Sequence, residues 1–315
     1  MSYLFVHFTS DDEKEIEHIW FSVSRDGLHW QDLGGETPAL TSSKGTTGIR
    51  DPFMVYDETL KKYFIIATDL KIGKGGDWWK AQYEGSRSIH VWESEDLIHW
   101  SEERLIEVGI EGAGCVWAPE AIFCKEENKW FVFWASMVKE SGDAEAKQRI
   151  YGSFTEDFIT FTPAFKYIEG ENHVIDTDII WSDGWYYRFS KDETYKLITL
   201  ERCRHLIPKE GEQYERVDSK LLSEIEWVEG PECYYLEDQK KWCLIVDRFG
   251  AGLGYMPLLA ENLATGEFVK LSPEKYDMGP RKKRHGGVIQ IPEELMEKMM
   301  LHYGGYRLVC SATWQ

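Results

Sequence analysis

PFMVYDETLKKYFIIATD (residues 52–69) and PEAIFCKEENKWFVFWAS (residues 119–136) align without a gap, 67 residues apart, and their shared pattern decides the fold. Each passes from an apolar run through a charged turn into a second apolar run, with an aromatic eleven positions after the proline, Tyr63 and Trp130. Runs of this length, rich in aromatic and β-branched residues and bounded by turn formers, read as strand, turn, strand. TDIIWSDGWYYRFS (177–190) repeats the pattern around a tighter Ser182-Asp183-Gly184 turn. PECYYLEDQKKWCLIVDRF (231–249) again places its aromatic, Trp242, eleven positions on.

A second phrase recurs between these copies: IWFSVSRDGLHW (19–30), IHVWESEDLIHW (89–100) and RIYGSFTEDFITF (149–161). Each is a strand followed by an Asp-containing turn and a closing aromatic, which supplies outer strands to the inner hairpins. A unit of about four strands every ~55 to 70 residues is near the repeat length of a propeller blade. Inner strands start at Asp51, Pro119, Asp176 and Pro231, and RHGGVIQI (284–291) is a fifth start with no hairpin after it. The N-terminal YLFVHFT and IWFSVSRDGLHW are outer strands without an inner one, so the C-terminal strand is expected to complete the N-terminal blade. The fold class is therefore all-β, a five-bladed β-propeller closed by that pairing, and residues 1–315 form a single catalytic-size domain. One peripheral helix is expected, PEELMEKMMLHYG (292–304), from its Pro-Glu-Glu start, apolar spacing and terminal Gly.

The 315 residues carry a net charge of −19, which repels phosphate backbones and anionic lipid headgroups, so neither nucleic acid nor a membrane is an expected partner. No stretch reaches the ~20 apolar residues of a membrane-spanning helix, and MSYLFVHFTSDDEKE lacks the basic and apolar regions of a leader. A cytoplasmic location is expected for the chain as given, and a secreted one if a leader had been removed. Six cysteines without a C-x-x-C pair read as reduced structural thiols. Aromatics make up 14% of the chain, with 14 Trp, an excess that suits a large β core or stacking on sugar faces.

The first strand of a propeller blade lines the axis, so polar residues opening successive inner strands converge. Those positions hold Arg50-Asp51, Trp117 with Glu120, Asp176 with Asp178, Glu229 with Glu232, and His285. Carboxylates crowded on one axis repel one another unless a site needs them, and acid–base hydrolysis of a glycosidic bond needs one carboxyl protonated and another ionised.

GIRDPFM, CVWAPEAIF, VIDTDIIW, VEGPECYYL and RHGG, in this order over residues 48–286, resemble glycoside hydrolase family 43 and its five-bladed propeller. The resemblance implies Asp51 as general base, Asp176 as the orienting and pKa-modulating residue, Glu229 as general acid, and inversion at the anomeric carbon. Asp178 is the rival to Asp176, on the same strand face. Glu226 and Glu232 rival Glu229, although an offset of three puts Glu232 on the opposite face of a regular strand. Glu120 is read as a contact to sugar hydroxyls, with proton transfer as the alternative. Arg50 and Trp117 are expected in the substrate site, and Trp78 and Trp79 of the Gly-rich insertion 72–92 as rim residues that stack on sugar, with packing between blades as the rival reading. His285 matches the family's axial histidine, which touches a Ca²⁺ or its waters, and a plain core histidine is the alternative; no other cofactor is implied. DRFGAGLGY (247–255) lacks the Lys-Ser/Thr end of a phosphate loop.

The expected function is an inverting exo-glycosidase acting on plant cell-wall polysaccharides or their oligosaccharides. An α-L-arabinofuranosidase comes first, β-D-xylosidase second and a galactan- or galactofuranose-directed enzyme third, so the expected partner is an arabinose- or xylose-containing glycan. A non-catalytic carbohydrate-binding propeller is the rival from another class. The acid–base pair requires that the pKa of Glu229 be raised while Asp51 stays ionised, for an optimum of about pH 5.5 to 7.

Overall fold

The computed structural model describes residues 1–9, 17–73 and 75–304. Their strands form five four-stranded antiparallel sheets arranged as a five-bladed propeller. Blade one comprises Ile49–Asp57, Lys62–Asp69, Ser88–Ser94 and Arg104–Glu107, from axis to rim. Blade two is Trp117–Cys124, Lys129–Val138, Lys147–Thr155 and Phe165–Ile168; blade three is Val174–Ser182, Trp185–Asp192, Leu197–Cys203 and Glu215–Arg216. Blade four is Glu229–Leu236, Lys241–Asp247, Tyr255–Ala260 and Val269–Lys270. Blade five joins the two ends of the chain: Lys283–Ile291 is its inner strand and pairs with Ser2–Thr9, followed by Trp20–Ser24 and Gln31–Asp32. The expected closure is present, with Leu4 opposite Ile289 and Val6 opposite Gly287.

The recurring outer-strand phrase builds one recurring turn. Asp26, Asp96 and Asp157 each accept two backbone N–H bonds from the residues two and three ahead, and Ser24, Ser94 and Thr155 each accept one from the residue three ahead. That donor has a left-handed backbone in every copy: Gly27 at φ 76°, Leu97 at 62° and Phe158 at 56°. Leu97 and Phe158 are fully buried, and the Phe158 ring stacks on Phe64 of the preceding blade at 4.6 Å. Burial between blades thus offsets the backbone strain of a bulky left-handed residue.

Five hydrophobic clusters fill the five seams between adjacent blades. Much of the aromatic excess lies in these seams, as with Phe131 and Phe133 between blades two and three and Tyr234 and Tyr255 between four and five. The expected C-terminal helix spans Glu293–Tyr303 and covers the seam of blades five and one with Met296 and Met299. Two short helices escape sequence reading, Trp78–Tyr83 and Lys220–Glu224. Each is shorter than two turns, too few residues to show a periodicity, and is nucleated by a capping side chain, Asp77 and Ser219. Cys115, Cys124, Cys203, Cys233 and Cys243 are free and buried, whereas Cys310 and the rest of the tail lie outside the described residues. No helix among those described is long and apolar enough to cross a membrane.

Candidate active site

The inner strands of blades one to four open on the same irregularity. At each, the ladder shifts register around a residue with left-handed backbone: Asp51 (φ 47°), Ala118 (46°), Asp176 (43°) and Gly230 (51°). These are β-bulges, which re-aim side chains next to functional sites. The bulge also overturns the strand-parity argument. Glu229 and Glu232 flank it, and both carboxyls turn to the axis, where a regular strand would send them to opposite faces.

Two tiers of acidic groups result. In the upper one, His285 from blade five stands among three carboxyls: Nδ1 is 3.1 Å from Asp51 and 3.7 Å from Asp176, and Nε2 is 3.2 Å from Glu229. In the lower one, Glu120, Asp178 and Glu232 are the residues two positions beyond the left-handed residue of blades two, three and four, and their oxygens lie within 4.8 Å of one another. A pocket opens on the axis, lined among others by Asp51, Phe53, Glu120, Asp176, Tyr255 and His285. Glu226 is exposed, outside both tiers.

Second strands brace the next blade's inner strand. Thr68 donates to Asp51 (2.9 Å) and accepts from the Ala118 amide (2.8 Å). Lys191 donates to Glu229 (2.6 Å), and Asp247 accepts from Arg284 (2.8 Å), which also donates to Glu229 (2.8 Å). Lys191 and Arg284 were not singled out in the sequence. The alignment of second-strand ends, Thr68, Lys191 and Asp247 pairing with Arg50, Ile175 and Glu229, is the signal that finds the first of them.

These neighbours set the protonation states. Burial pushes Asp51 up, but the hydrogen bond and charge of His285, with Arg50 and Thr68, bring it below the usual carboxylate range. Burial raises Asp176, only partly opposed by His285 and Lys191. Burial also acts against Glu229 ionising, yet His285, Lys191 and Arg284 together hold it well below its ordinary value. The raised pKa expected for Glu229 is therefore not found, because three cations that a count of carboxylates omits converge on it. The imidazole of His285 is held well above its ordinary value, since Asp176, Glu229 and Asp51 outweigh its burial. In the lower tier, burial and mutual repulsion raise Glu120 and Glu232 strongly, and burial takes Asp178 to about 7 despite the amides of Cys233 and Ile179.

The remaining expected residues divide. Trp117 opens the inner strand of blade two, and Trp78 meets it edge-on with centroids 6.0 Å apart. Trp79 stacks on Tyr83 one helical turn away (5.1 Å). Arg50 is buried, paired with Glu17 (3.0 Å), and lies against the rings of Phe8 (4.5 Å) and Trp78 (5.4 Å), beside Asp51.

A family model of the glycoside hydrolase 43-related type, described as "Probable glycosyl hydrolase domain", matches residues 1–297. The chain belongs to this family. Among relatives of this glycoside hydrolase 43-related protein, an alpha-L-arabinofuranosidase of Bifidobacterium longum subsp. longum is 27% identical over 365 aligned residues. That match takes in 94% of this chain but 34% of the relative, so the chain spans about a third of its length. The fold is shared with a family 43 β-1,3-galactosidase solved with galactodeoxynojirimycin (TM-score 0.58, 10% identity, 90% of this chain and 91% of that one). It is shared too with the alpha-L-arabinofuranosidase PaAbf62A of Podospora anserina (TM-score 0.53, 13% identity, 76% and 74%).

Proposed function

We propose that this chain is an inverting glycoside hydrolase that releases terminal arabinofuranosyl residues from plant cell-wall glycans, with xylosides and then galactans as the alternative substrates. The observation that carries the reading is the convergence of Asp51, Asp176 and Glu229, from three blades, on one histidine beside a pocket. Asp51 and Glu229 face different nitrogens of one imidazole, so the two carboxyls meet His285 from different blades and on different sides of its ring. Asp51, ionised, takes the proton of the attacking water. Glu229 gives a proton to the leaving oxygen, and because its cations keep it ionised at rest, that proton is held by the His285–Glu229 pair as a unit. The family's arabinofuranosidase relative supports arabinose as the first substrate to try.

Glu120 is the rival acid, since it lines the pocket and its carboxyl is raised. Leaving-group dependence separates the two. Glu229→Gln is expected to lose ~10² or more on a natural arabinan while retaining most turnover of a 4-nitrophenyl arabinofuranoside, which needs little protonation. If Glu120→Gln shows this pattern and Glu229→Gln does not, the roles exchange.

The same geometry offers two places for the expected axial cation. His285 brings a ligand atom within 4.8 Å of Asp176 and Glu229, a mixed nitrogen and oxygen set in the upper tier. A Ca²⁺ needs oxygen donors, and the lower tier offers three, with Glu120 Oε2 and Glu232 Oε2 lacking a hydrogen-bond partner among the described residues. Glu120, Asp178 and Glu232 would hold the ion, which would supply compensating charge beneath the pocket. Added Ca²⁺ is expected to raise the melting temperature, and Asp178→Asn to remove that response. A melting temperature indifferent to Ca²⁺ and to a chelator retires the site.

A further inference from the structure

Trp227 is an exposed tryptophan (55%) with a left-handed backbone, φ 60°. For a bulky residue that conformation is a genuine outlier, and outliers of this kind concentrate at ligand clamps. Trp227 stands two residues before Glu229, on the lead into the inner strand of blade four, whose Gly230 and Pro231 line the pocket. Phe249 comes to it from the 3₁₀ turn Phe249–Ala251, with ring centroids 6.1 Å apart.

This pairing is built by the sequence around it. Gly250 donates its amide to the Trp227 carbonyl (3.3 Å), and a Cβ at position 250 would lie 2.6 Å from that of Trp227, so only glycine lets the two segments approach. The turn joins the second and third strands of blade four, the same connection that in blade one carries Trp78. The ring therefore presents one aromatic group above blades one and two and another above blade four. The second is one side chain from the candidate acid: Lys191 Nζ is 4.5 Å from the Phe249 ring centre and 2.6 Å from Glu229.

We propose that Trp227, backed by Phe249, is the platform on which a second sugar of the substrate stacks, next to the sugar held in the pocket. An indole face suits the C–H face of a neutral pyranose or furanose, and the −19 charge of the chain disfavours an anionic glycan. The site then recognises the sugar that carries the leaving oxygen, which makes it selective for chains over simple glycosides. The inference rests on the hydrolase reading above and deepens it.

The test compares kcat/KM on an arabino-oligosaccharide with kcat/KM on methyl α-L-arabinofuranoside, which offers no second sugar. Trp227→Asn, a residue at ease in the left-handed region, is expected to lower the ratio of the two ~10-fold, mainly through KM on the oligosaccharide. Phe249→Ala and Gly250→Ala, which unseat the platform without deleting the indole, are expected to lower it in the same direction. An unchanged ratio in folded Trp227→Asn, with wild-type hydrolysis intact, overturns the platform and leaves the hydrolase standing. If the wild type cleaves none of the arabinosides, xylosides or galactosides, the hydrolase reading fails. Calorimetric titration with the same oligosaccharides then decides the platform: binding weakened by Trp227→Asn retains it, and binding that is absent or unaltered removes it.

Discussion

A chain ending at Lys283 is expected to yield no soluble folded protein. The cut removes the inner strand of blade five and the helix behind it, so Ser2–Thr9 loses the strand it pairs with. Leu4, Val6 and Phe21 lose Ile291, Met296 and Met299 from their cluster. Each buried methionine is worth about 2–5 kcal/mol against truncation to alanine, and a whole domain is stable by only about 5–15 kcal/mol. The same cut takes away Arg284 and His285, leaving Glu229 and Asp247 as buried carboxylates short of their cations. It also bares a long apolar strand edge, an aggregation template. A chain ending at Ile291 separates closure from helix packing. It keeps the strand and loses the helix with the residues that follow it, and is expected to be soluble with a lower denaturation midpoint. Soluble, cooperatively unfolding protein from the Lys283 truncation would show that the ring does not depend on this pairing.

Asp51→Asn is expected to lower kcat/KM by ~10² to 10⁴, the usual worth of a general base, with the fold retained. Asparagine keeps the shape, and Thr68 can still donate to its carbonyl. What is lost is the proton acceptor. The pH profile of the parent carries the assignment further. With Asp51 below the ordinary carboxylate range, the acid limb lies low. The alkaline limb reports loss of the proton held by the His285–Glu229 pair, and because His285 is raised well above its ordinary value, that limb lies above the range of a free imidazole. Asp176 is the first of the charges that raise His285. A negative neighbour favours the imidazolium, so Asp176→Asn lowers that pKa and moves the alkaline limb to lower pH, besides reducing the rate. An aspartate that served only the fold would lower activity at every pH and leave the limb in place.

Period and order were legible in the sequence. The gapless match of residues 52–69 with 119–136 sets the hairpin and its recurrence, because a strand's alternation and a turn's chemistry are local properties. The unpaired RHGGVIQI and the unpaired N-terminal strands implied each other, since a propeller cannot leave an inner position empty, and the same count placed Asp51, Asp176, Glu229 and His285 on one axis. The tertiary structure alone decided the state of those groups. The parity rule misplaced Glu232 because four left-handed bulges, each an extra residue in one strand, are invisible to alternation. Lys191 and Arg284 hold Glu229 ionised from other blades, and Coulomb interactions depend on distance in space and on burial, neither of which a spacing along the chain contains. Trp227 reads in the sequence as one tryptophan among 14; its exposure, its left-handed backbone and its pairing with Phe249 exist only once the chain has folded.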